Sequence, residues 1–215
     1  MSYTVIENFL PQSIQDIIEE QFQYNTQWNY VSFTSGNEKE IEGHNESVVD
    51  DSIKECPQLV HISKWGDNPN PETFGLTRMV LYFLESVTGC TVGDIHKIKT
   101  NMNLKDESYK GKYHPPHADH KSPEYFTLIY YIKDSDGPTR IFQKSTLDPM
   151  PYKDLKVVGE VHPKKGRAIL LKSNLMHTGT CPIENENRLV INFVFKATNL
   201  KIDFDVPNVL SVSKH

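Results

Sequence analysis

The stretch "EYFTLIYYIKDSDGPTRIFQ" (residues 124–143) predicts two β-strands joined by a turn. Its apolar, β-branched and aromatic residues fall in two short runs, and "DSDG" between them supplies turn-forming residues. Successive side chains of a strand point to opposite faces of the sheet, so only one of Tyr130 and Tyr131 can face the interior. Tyr131 shares its face with Thr127 and Ile129.

The strand pattern continues on both sides of this stretch. Upstream it begins with "DIHKIKTNMNL", and downstream it continues through "LKVVGEVHP", "GRAILLK", "LMHTGTC" and "NRLVINFVFKA". Turn-forming segments such as "PKKG" (163–166) and "ENEN" (184–187) separate the runs. Seven or eight short, closely spaced strands are typical of a sandwich or jelly roll.

Two helices are predicted before the strands. The first covers 10–24 and the second covers 71–89, where Gly89 ends the pattern. On their apolar faces we place Ile14, Ile17, Ile18, Gln21 and Phe22 in the first helix, and Phe74, Val80, Leu81, Leu84 and Val87 in the second.

The order of elements predicts an α+β fold in one domain, residues 1–215. In this interpretation 1–90 form helical support and covering loops, and 91–200 form the jelly-roll core. The punctuated stretch 25–72 is predicted to consist of loops with short irregular elements.

Composition narrows the class of protein. The chain is 37% hydrophobic and 24% charged, as expected for a folded domain, and its net charge of -5 without a basic block argues against a nucleic-acid partner. No apolar run is long enough to span a bilayer, and the first residues do not resemble an export signal. Cys56, Cys90 and Cys181 show no CxxC spacing and are interpreted as free thiols. We therefore expect a cytoplasmic protein, and we leave its oligomeric state open.

The heptapeptide "HPPHADH" (114–120) is separated by three residues from the start of the stretch 124–143. In a helix its three histidines would share a face, but consecutive prolines disfavour helix. In extended backbone, side chains two positions apart share a face, which pairs His117 with Asp119. One such pair is weak support for a metal site, because it also occurs by chance.

His177 strengthens the metal interpretation, because it follows an apolar strand and a polar turn. Two imidazoles and one carboxylate on one side of an ion leave three positions open, which is typical of non-haem Fe(II) oxygen chemistry. A structural zinc site would instead fill its shell with four protein ligands.

Arg188 begins a later apolar strand. It is either a strand-end charge in solvent or the anchor for an anionic cosubstrate, since a guanidinium binds a carboxylate through two hydrogen bonds. Parity places Asn192 on the same face, where it could contact cosubstrate or an ordered water. Asn101 and Asn103, on the strand before the heptapeptide, are weaker candidates.

In chain order, "HPPHAD", "FTLIYYIKDSDGPTRIF", "VHPKKGRAILLKSNLMHTG" and "NRLVINFVF" resemble the 2-oxoglutarate- and Fe(II)-dependent dioxygenases. Within that superfamily they look like the prolyl 4-hydroxylase-like branch of short bacterial and phage enzymes. The similarity covers roughly 95–196, and "IENFLP" with the following helix is also similar. The resemblance implies a double-stranded β-helix with N-terminal helices packed on one sheet.

The resemblance also implies roles for individual residues. His117, Asp119 and His177 match the iron ligands, and Arg188 matches the anchor for the C5 carboxylate of 2-oxoglutarate. Tyr131 matches a tyrosine that hydrogen-bonds the same carboxylate, although it could equally be a core aromatic. The implied cofactors are Fe(II), 2-oxoglutarate as cosubstrate and O2, with ascorbate as a candidate reductant.

The implied activity is hydroxylation of a peptidyl prolyl residue, with release of succinate and CO2. Two alternatives stay open: hydroxylation of a small molecule such as a free amino acid or a nucleobase, and a non-catalytic metal-binding module of cupin type. The partner is accordingly a peptide, a protein or a small-molecule substrate, with no membrane involved. Asp119 disfavours halogenation, because halogenating relatives lack that carboxylate.

Overall fold

The computed structural model describes residues 3–34, 52–145, 155–202 and 208–212. Its helices are α1 (Gln12–Tyr24) and α2 (Phe74–Thr88). Both were expected from the sequence, and α2 ends as expected at Gly89, whose φ of 70° suits glycine. Neither of these described helices is long and apolar enough to cross a membrane.

Twelve strands are found within the described residues. They are β1 (Tyr3–Glu7), β2 (Asn29–Val31), β3 (Gln58–Trp65), β4 (Asn68–Pro69), β5 (Thr91–Leu104), β6 (Tyr125–Tyr131), β7 (Thr139–Ser145), β8 (Val157–Val161), β9 (Ala168–Lys172), β10 (Leu175–Thr178), β11 (Asn187–Thr198) and β12 (Asn208–Ser211). All seven strands expected from the sequence are present.

The strands form two sheets. The larger has the order β12-β1-β9-β6-β11-β5-β3-β2, with β4 paired to β3, and the smaller has the order β10-β7-β8. An isolated bridge between His117 and His177 extends the smaller sheet beyond β10. The expected double-stranded β-helix is therefore confirmed.

Opposite faces of the large sheet contact different parts of the core. Leu128 and Tyr130 of β6 belong to the cluster that includes Ile18 of α1 and Leu84 of α2. Ile129 and Tyr131 belong to a second cluster, with Ile141 of β7 and Val161 of β8 in the small sheet. The helices thus cover the outer face, and the alternation predicted for the two tyrosines is correct.

The predicted buried face of α1 is wrong at Ile17, which is 50% exposed. The buried residues of this helix are Gln15, Ile18 and Phe22, so its contact face is centred on Ile18 and not on Ile17. Gln15 is buried because its amide donates a hydrogen bond of 2.7 Å to the Leu10 carbonyl oxygen. The buried face of α1 therefore includes the polar Gln15 and excludes Ile17, contrary to the apolar pattern.

The prediction of loops over 25–72 is wrong for β3, which pairs along β5 from Leu59–Met102 to Trp65–Lys97. Two inward positions of β3 are polar, His61 and Ser63, and this hides the alternation. Both are hydrogen-bonded to the Thr73 hydroxyl, whose oxygen lies 2.9 Å from His61 Nε2 and 2.9 Å from Ser63 Oγ. Residues 35–51 of the same stretch lie outside the described residues.

The neighbouring tyrosines give a test of this packing. Among the described residues no partner reaches the buried Tyr130 hydroxyl, whereas Tyr131 donates to Thr139 Oγ1 at 2.7 Å. A buried hydroxyl without a partner costs free energy, and a satisfied one contributes about 1 kcal/mol. We expect Tyr130→Phe to raise the free energy of unfolding and Tyr131→Phe to lower it by about 1 kcal/mol. Urea denaturation followed by tryptophan fluorescence measures both, and the opposite order would contradict the assigned faces.

Candidate active site

The heptapeptide 114–120 is held in extended form beside β10 by its backbone. The N–H of His117 donates to the carbonyl of His177 at 3.0 Å, and the N–H of His177 donates back at 2.9 Å. This reciprocal pair brings the two imidazole rings to a centroid separation of 5.0 Å. Two segments that are remote along the chain therefore present their histidines side by side.

Asp119 completes a cluster with these two histidines. One ligand atom from each of the three residues lies within 4.8 Å of the others. His177 Nε2 is 3.3 Å from Asp119 Oδ2, although no hydrogen bond is formed. The side chain of Asp119 is 3% exposed and that of His177 is 4% exposed. The structure thus brings together all three side chains that the sequence proposed as metal ligands.

Backbone carbonyls fix the orientation of both imidazoles. His177 Nδ1 lies 2.9 Å from the carbonyl oxygen of Leu175, and His117 Nδ1 lies 3.3 Å from that of Pro115. A carbonyl only accepts hydrogen bonds, so each Nδ1 carries the hydrogen. Each Nε2 is then left with a lone pair, which is the arrangement of a metal-ligating histidine.

Four hydrogen bonds hold the Asp119 carboxylate. Oδ1 accepts from Lys97 at 3.1 Å and from Asn192 at 3.1 Å, while Oδ2 accepts from Asn192 and Thr127, both at 3.0 Å. Burial alone would raise the pKa of Asp119, but Lys97 and then His177 hold it well below its usual range. Asp119 is therefore an oriented carboxylate anion at neutral pH.

His117 is a neutral imidazole at neutral pH. Burial, and then the neighbouring His177, lower its pKa to about 4. Two imidazoles and one carboxylate suit a divalent transition metal, and three ligands leave open positions in its shell. Within the described residues no fourth histidine, cysteine, aspartate or glutamate joins this cluster.

The cluster forms part of the wall of a cavity of about 330 Å³. Four buried polar atoms lining it have no hydrogen-bond partner among the described residues: His177 Nε2, Asn192 Oδ1, Asn101 Oδ1 and Asn103 Nδ2. Buried polar atoms are nearly always hydrogen-bonded, so their concentration here indicates a polar ligand. The residues present therefore fit a metal ion together with a small polar molecule.

Arg188 lines the same cavity and is 4% exposed. Its Nε donates to the Gly137 carbonyl at 2.8 Å, and its Nη2 donates to Thr139 Oγ1 at 2.7 Å. No carboxylate of the described chain pairs with this guanidinium, whose pKa is lowered by burial. A buried charge without a counter-ion is costly, so the site favours an anionic ligand.

Thr139 connects Arg188 to Tyr131. Its Oγ1 accepts from both the Arg188 guanidinium and the Tyr131 hydroxyl, which leaves its own hydrogen for a ligand. Thr139 lines the cavity, whereas Tyr131 is not among the described lining residues. The structure therefore places Tyr131 behind Thr139, and its predicted contact with a cosubstrate carboxylate stays a prediction.

Glycine is required next to the guanidinium. A Cβ atom on Gly179 would lie 3.1 Å from Arg188 Nη1, and one on Gly137 would lie 2.6 Å from the Thr180 carbonyl oxygen. Any larger side chain at these positions would displace neighbouring atoms. The two glycines thus let the chain approach Arg188 closely.

Lys97, Thr127 and Thr139 were not proposed as site residues from the sequence. Lys97 and Lys99 stand at alternate positions of β5, in the same row as Asn101 and Asn103, and all four line the cavity. Burial, and then Lys97, lower the pKa of Lys99 to about 8. The alternation of β5 was a usable signal for this row, but the contact between Lys97 and Asp119 depends on the fold.

The outer histidines of the heptapeptide are placed differently. His120 stacks on Tyr125, with ring centroids 3.9 Å apart, and contacts His96. His114 is buried against Cys56, Tyr109 and Cys181. Neither residue belongs to the cluster of His117.

No protein-family model matches the chain, and no curated protein matches it either. Solved structures do match. HygX from Streptomyces hygroscopicus, with nickel and 2-oxoglutarate bound, has a TM-score of 0.57 at 12% identity, covering 91% of this chain and 82% of that one.

Two further matches have the same fold. The epimerase SnoN, in complex with Fe3+, alpha ketoglutarate and nogalamycin RO, has a TM-score of 0.57 at 12% identity, covering 91% of this chain and 78% of its own. A Pseudomonas putida prolyl-4-hydroxylase has a TM-score of 0.50 at 13% identity, covering 91% and 92%. The chain therefore shares the fold of these three proteins.

The histidines inside and outside the three-residue cluster give a test of the proposed metal site. We expect the wild-type protein to bind one equivalent of Mn(II), used as a redox-stable probe, and His177→Ala to lose most of this affinity because one of three ligands is removed. His120→Ala is the matched control and should bind Mn(II) like the wild type. Anaerobic calorimetric titration measures all three, and undiminished binding by His177→Ala would contradict the assigned cluster.

Proposed function

We propose that this chain is a 2-oxoglutarate- and Fe(II)-dependent oxygenase. His117, Asp119 and His177 hold the iron, and Arg188 binds the C5 carboxylate of 2-oxoglutarate. The main support for this proposal is that a candidate three-residue metal cluster and a buried guanidinium without a counter-ion line one cavity of about 330 Å³. A bound iron supplies the oxygen activation that couples conversion of 2-oxoglutarate to succinate and CO2 with hydroxylation of a substrate C–H bond.

The described residues support this chemistry by orienting ligands. Lys97, Asn192 and Thr127 fix the Asp119 carboxylate and keep it ionised, so it does not rotate away from the two imidazoles. Hydrogen bonds of this kind, outside the metal ligands, tune both affinity and geometry. Asn192 acts here through Asp119, and its free Oδ1 remains available to a ligand in the cavity.

The Arg188 end of the cavity binds and orients the cosubstrate. The guanidinium donates to Gly137 and Thr139, which fixes its plane, and Nη1 makes no hydrogen bond to a described residue. A carboxylate in the cavity would accept from Nη1 and from the Thr139 hydroxyl. Tyr131 supports this arrangement by donating to Thr139, and its ring lies 5.9 Å from the guanidinium carbon.

We propose hydroxylation of a peptidyl prolyl residue as the specific reaction. The ordered sequence motifs support it, as does the fold shared with a Pseudomonas putida prolyl-4-hydroxylase. A small-molecule substrate is the second candidate, favoured by the fold shared with SnoN, whose structure holds nogalamycin RO. We further propose that residues 1–215 act as one oxygenase domain in the cytoplasm.

Arg188 and Arg140 give a matched test of the cosubstrate site. Arg140 lies on β7 of the small sheet, directly after Thr139, and pairs with Glu160 at 2.8 Å. We expect Arg188→Leu to raise the KM for 2-oxoglutarate by about 10- to 100-fold, the loss of one charge-assisted contact, and Arg140→Leu to leave it unchanged. Succinate formation in the presence of Fe(II) is the measurement, and an unchanged KM in Arg188→Leu would reject the anchor.

The substrate class is tested by the same assay with added substrates. We expect proline-containing peptides to stimulate succinate formation and to gain the mass of one oxygen atom. Free proline, other amino acids and nucleobases form the comparison set. Stimulation by a member of that set, with none by peptides, would favour the small-molecule alternative. If 2-oxoglutarate is decarboxylated but neither set of substrates stimulates the reaction, the oxygenase proposal stays intact and the peptide substrate is refuted.

A further inference from the structure

A second cluster of reactive side chains lies next to the proposed active site. Cys56 and Cys181 are 6% and 2% exposed, and their Sγ atoms are 3.0 Å apart. His114 lies against both, with Nδ1 at 3.8 Å from Cys56 Sγ and Nε2 at 3.9 Å from Cys181 Sγ. The proposed oxygenase reaction uses none of these three side chains.

The geometry distinguishes between two uses of such a cluster. Two thiolates on a tetrahedral metal, each with a metal–sulfur bond of about 2.3 Å, would hold their sulfur atoms about 3.8 Å apart. The sulfur atoms of Cys56 and Cys181 are closer than this. His114 also presents a different nitrogen to each thiol, so no single nitrogen is shared between them. Both observations disfavour a metal and favour a bond between the two sulfurs.

We propose that Cys56 and Cys181 form a reversible disulfide bond. A peroxide is the oxidant: the Cys56 thiolate attacks one peroxide oxygen, and a sulfenic acid forms as water leaves. The Cys181 thiol then displaces the sulfenic oxygen, so the sulfur–sulfur bond forms as the second water leaves. Two thiols are oxidised and one peroxide is reduced to two waters, and a dithiol reductant reverses the change.

The two thiols are suited to different roles in this reaction. The hydrogen bond from Cys181, and also contact with His114, lower the pKa of Cys56, although burial opposes this. The pKa of Cys181 is raised, first by its interaction with Cys56 and then by burial. Cys56 is thus the nucleophile that meets the oxidant, and Cys181 keeps its proton until it attacks Cys56.

A small oxidant can reach the pair from the surface. Both cysteines line a second cavity of about 200 Å³, whose wall also includes Tyr30 and Leu104. Those two side chains are 70% and 54% exposed, so they place part of that wall at the surface. The cavity admits a molecule of the size of hydrogen peroxide, and none of its described lining residues belongs to the cluster of His117, Asp119 and His177.

The bond would join segments that also build the active site. Gly179, two residues before Cys181, accepts a hydrogen bond of 3.1 Å from the His114 N–H and packs against the Arg188 guanidinium. The Thr178 hydroxyl donates to the His114 carbonyl at 2.7 Å. Closing the sulfur atoms by about 1 Å to bonding distance therefore displaces the wall beside Arg188. This consequence, weaker binding of 2-oxoglutarate after oxidation, rests on the proposed function.

The disulfide itself is tested without any reference to activity. The full chain, reduced and then treated with stoichiometric hydrogen peroxide, should fall from three titratable thiols to one under denaturing conditions. Proteolysis without reductant should release a peptide pair joined through Cys56 and Cys181. Cys90→Ser is the matched control and should still form the bond, whereas Cys181→Ser should not. Direct detection of the peptide pair needs only the wild-type chain, so a poorly folding variant does not affect this test.

Two outcomes would overturn the disulfide proposal: retention of all three thiols after peroxide treatment, or a zinc ion bound by the wild type and lost in Cys56→Ser. The consequence is measured separately as the affinity for 2-oxoglutarate with Mn(II), which should fall about tenfold on oxidation, a typical coupling between sites. Cys181→Ser should show no such change. If the reduced and oxidised wild-type proteins bind 2-oxoglutarate equally well, the predicted weakening of cosubstrate binding is refuted, while the disulfide proposal stands. Absence of 2-oxoglutarate binding in either state would refute the proposed function instead.

Discussion

The reciprocal backbone pair between His117 and His177 is the constraint on which the rest of the site depends. Two hydrogen bonds, of 3.0 and 2.9 Å, attach the extended heptapeptide to the edge of the small sheet. Consecutive prolines keep that heptapeptide out of the helical region, so it is already extended before it pairs. Because the two imidazoles belong to the paired residues themselves, forming the sheet edge also brings together two of the three proposed metal ligands, and Asp119 follows two positions after His117.

The site combines one compensated and one uncompensated charge within a single cavity. Asp119 is surrounded by donors and lies 3.1 Å from Lys97, so its negative charge is stabilised without any ligand. Arg188 receives no such compensation from the described residues, and the glycines beside it leave room for a small anion. Since an unpaired buried charge is costly, this asymmetry indicates where a dianionic cosubstrate would place its far carboxylate. The fold supplies both ends, because Arg188 and Asn192 lie on the same face of β11.

Much of the fold and of the site could be predicted from the sequence, because side-chain parity in strands is a local property. The alternation of side chains along a strand correctly predicted that Tyr130 and Tyr131 lie on opposite faces of β6 and that Arg188 and Asn192 share a face of β11. Patterns of polarity failed where polar residues are buried. The strand β3 was missed because its buried residues include the polar His61 and Ser63. In helix α1 the buried face was misplaced because Gln15 is buried and Ile17 is exposed. The contacts of Lys97 with Asp119 and of Thr139 with Arg188 join residues that only the strand order brings together, so no local pattern contains them. The pairing of Cys56 with Cys181 is hidden for the same reason, since 125 positions separate them.

We propose that one cavity holds a metal ion at His117, Asp119 and His177 and a 2-oxoglutarate molecule that reaches Arg188. A crystal structure of the protein grown anaerobically with Mn(II) and 2-oxoglutarate tests it most directly. We expect the ion to be bonded to both Nε2 atoms and to the Asp119 carboxylate, with the C5 carboxylate of the cosubstrate on Arg188 and Thr139. A metal ion bound elsewhere, or a cosubstrate whose distal carboxylate makes no contact with Arg188, would contradict it.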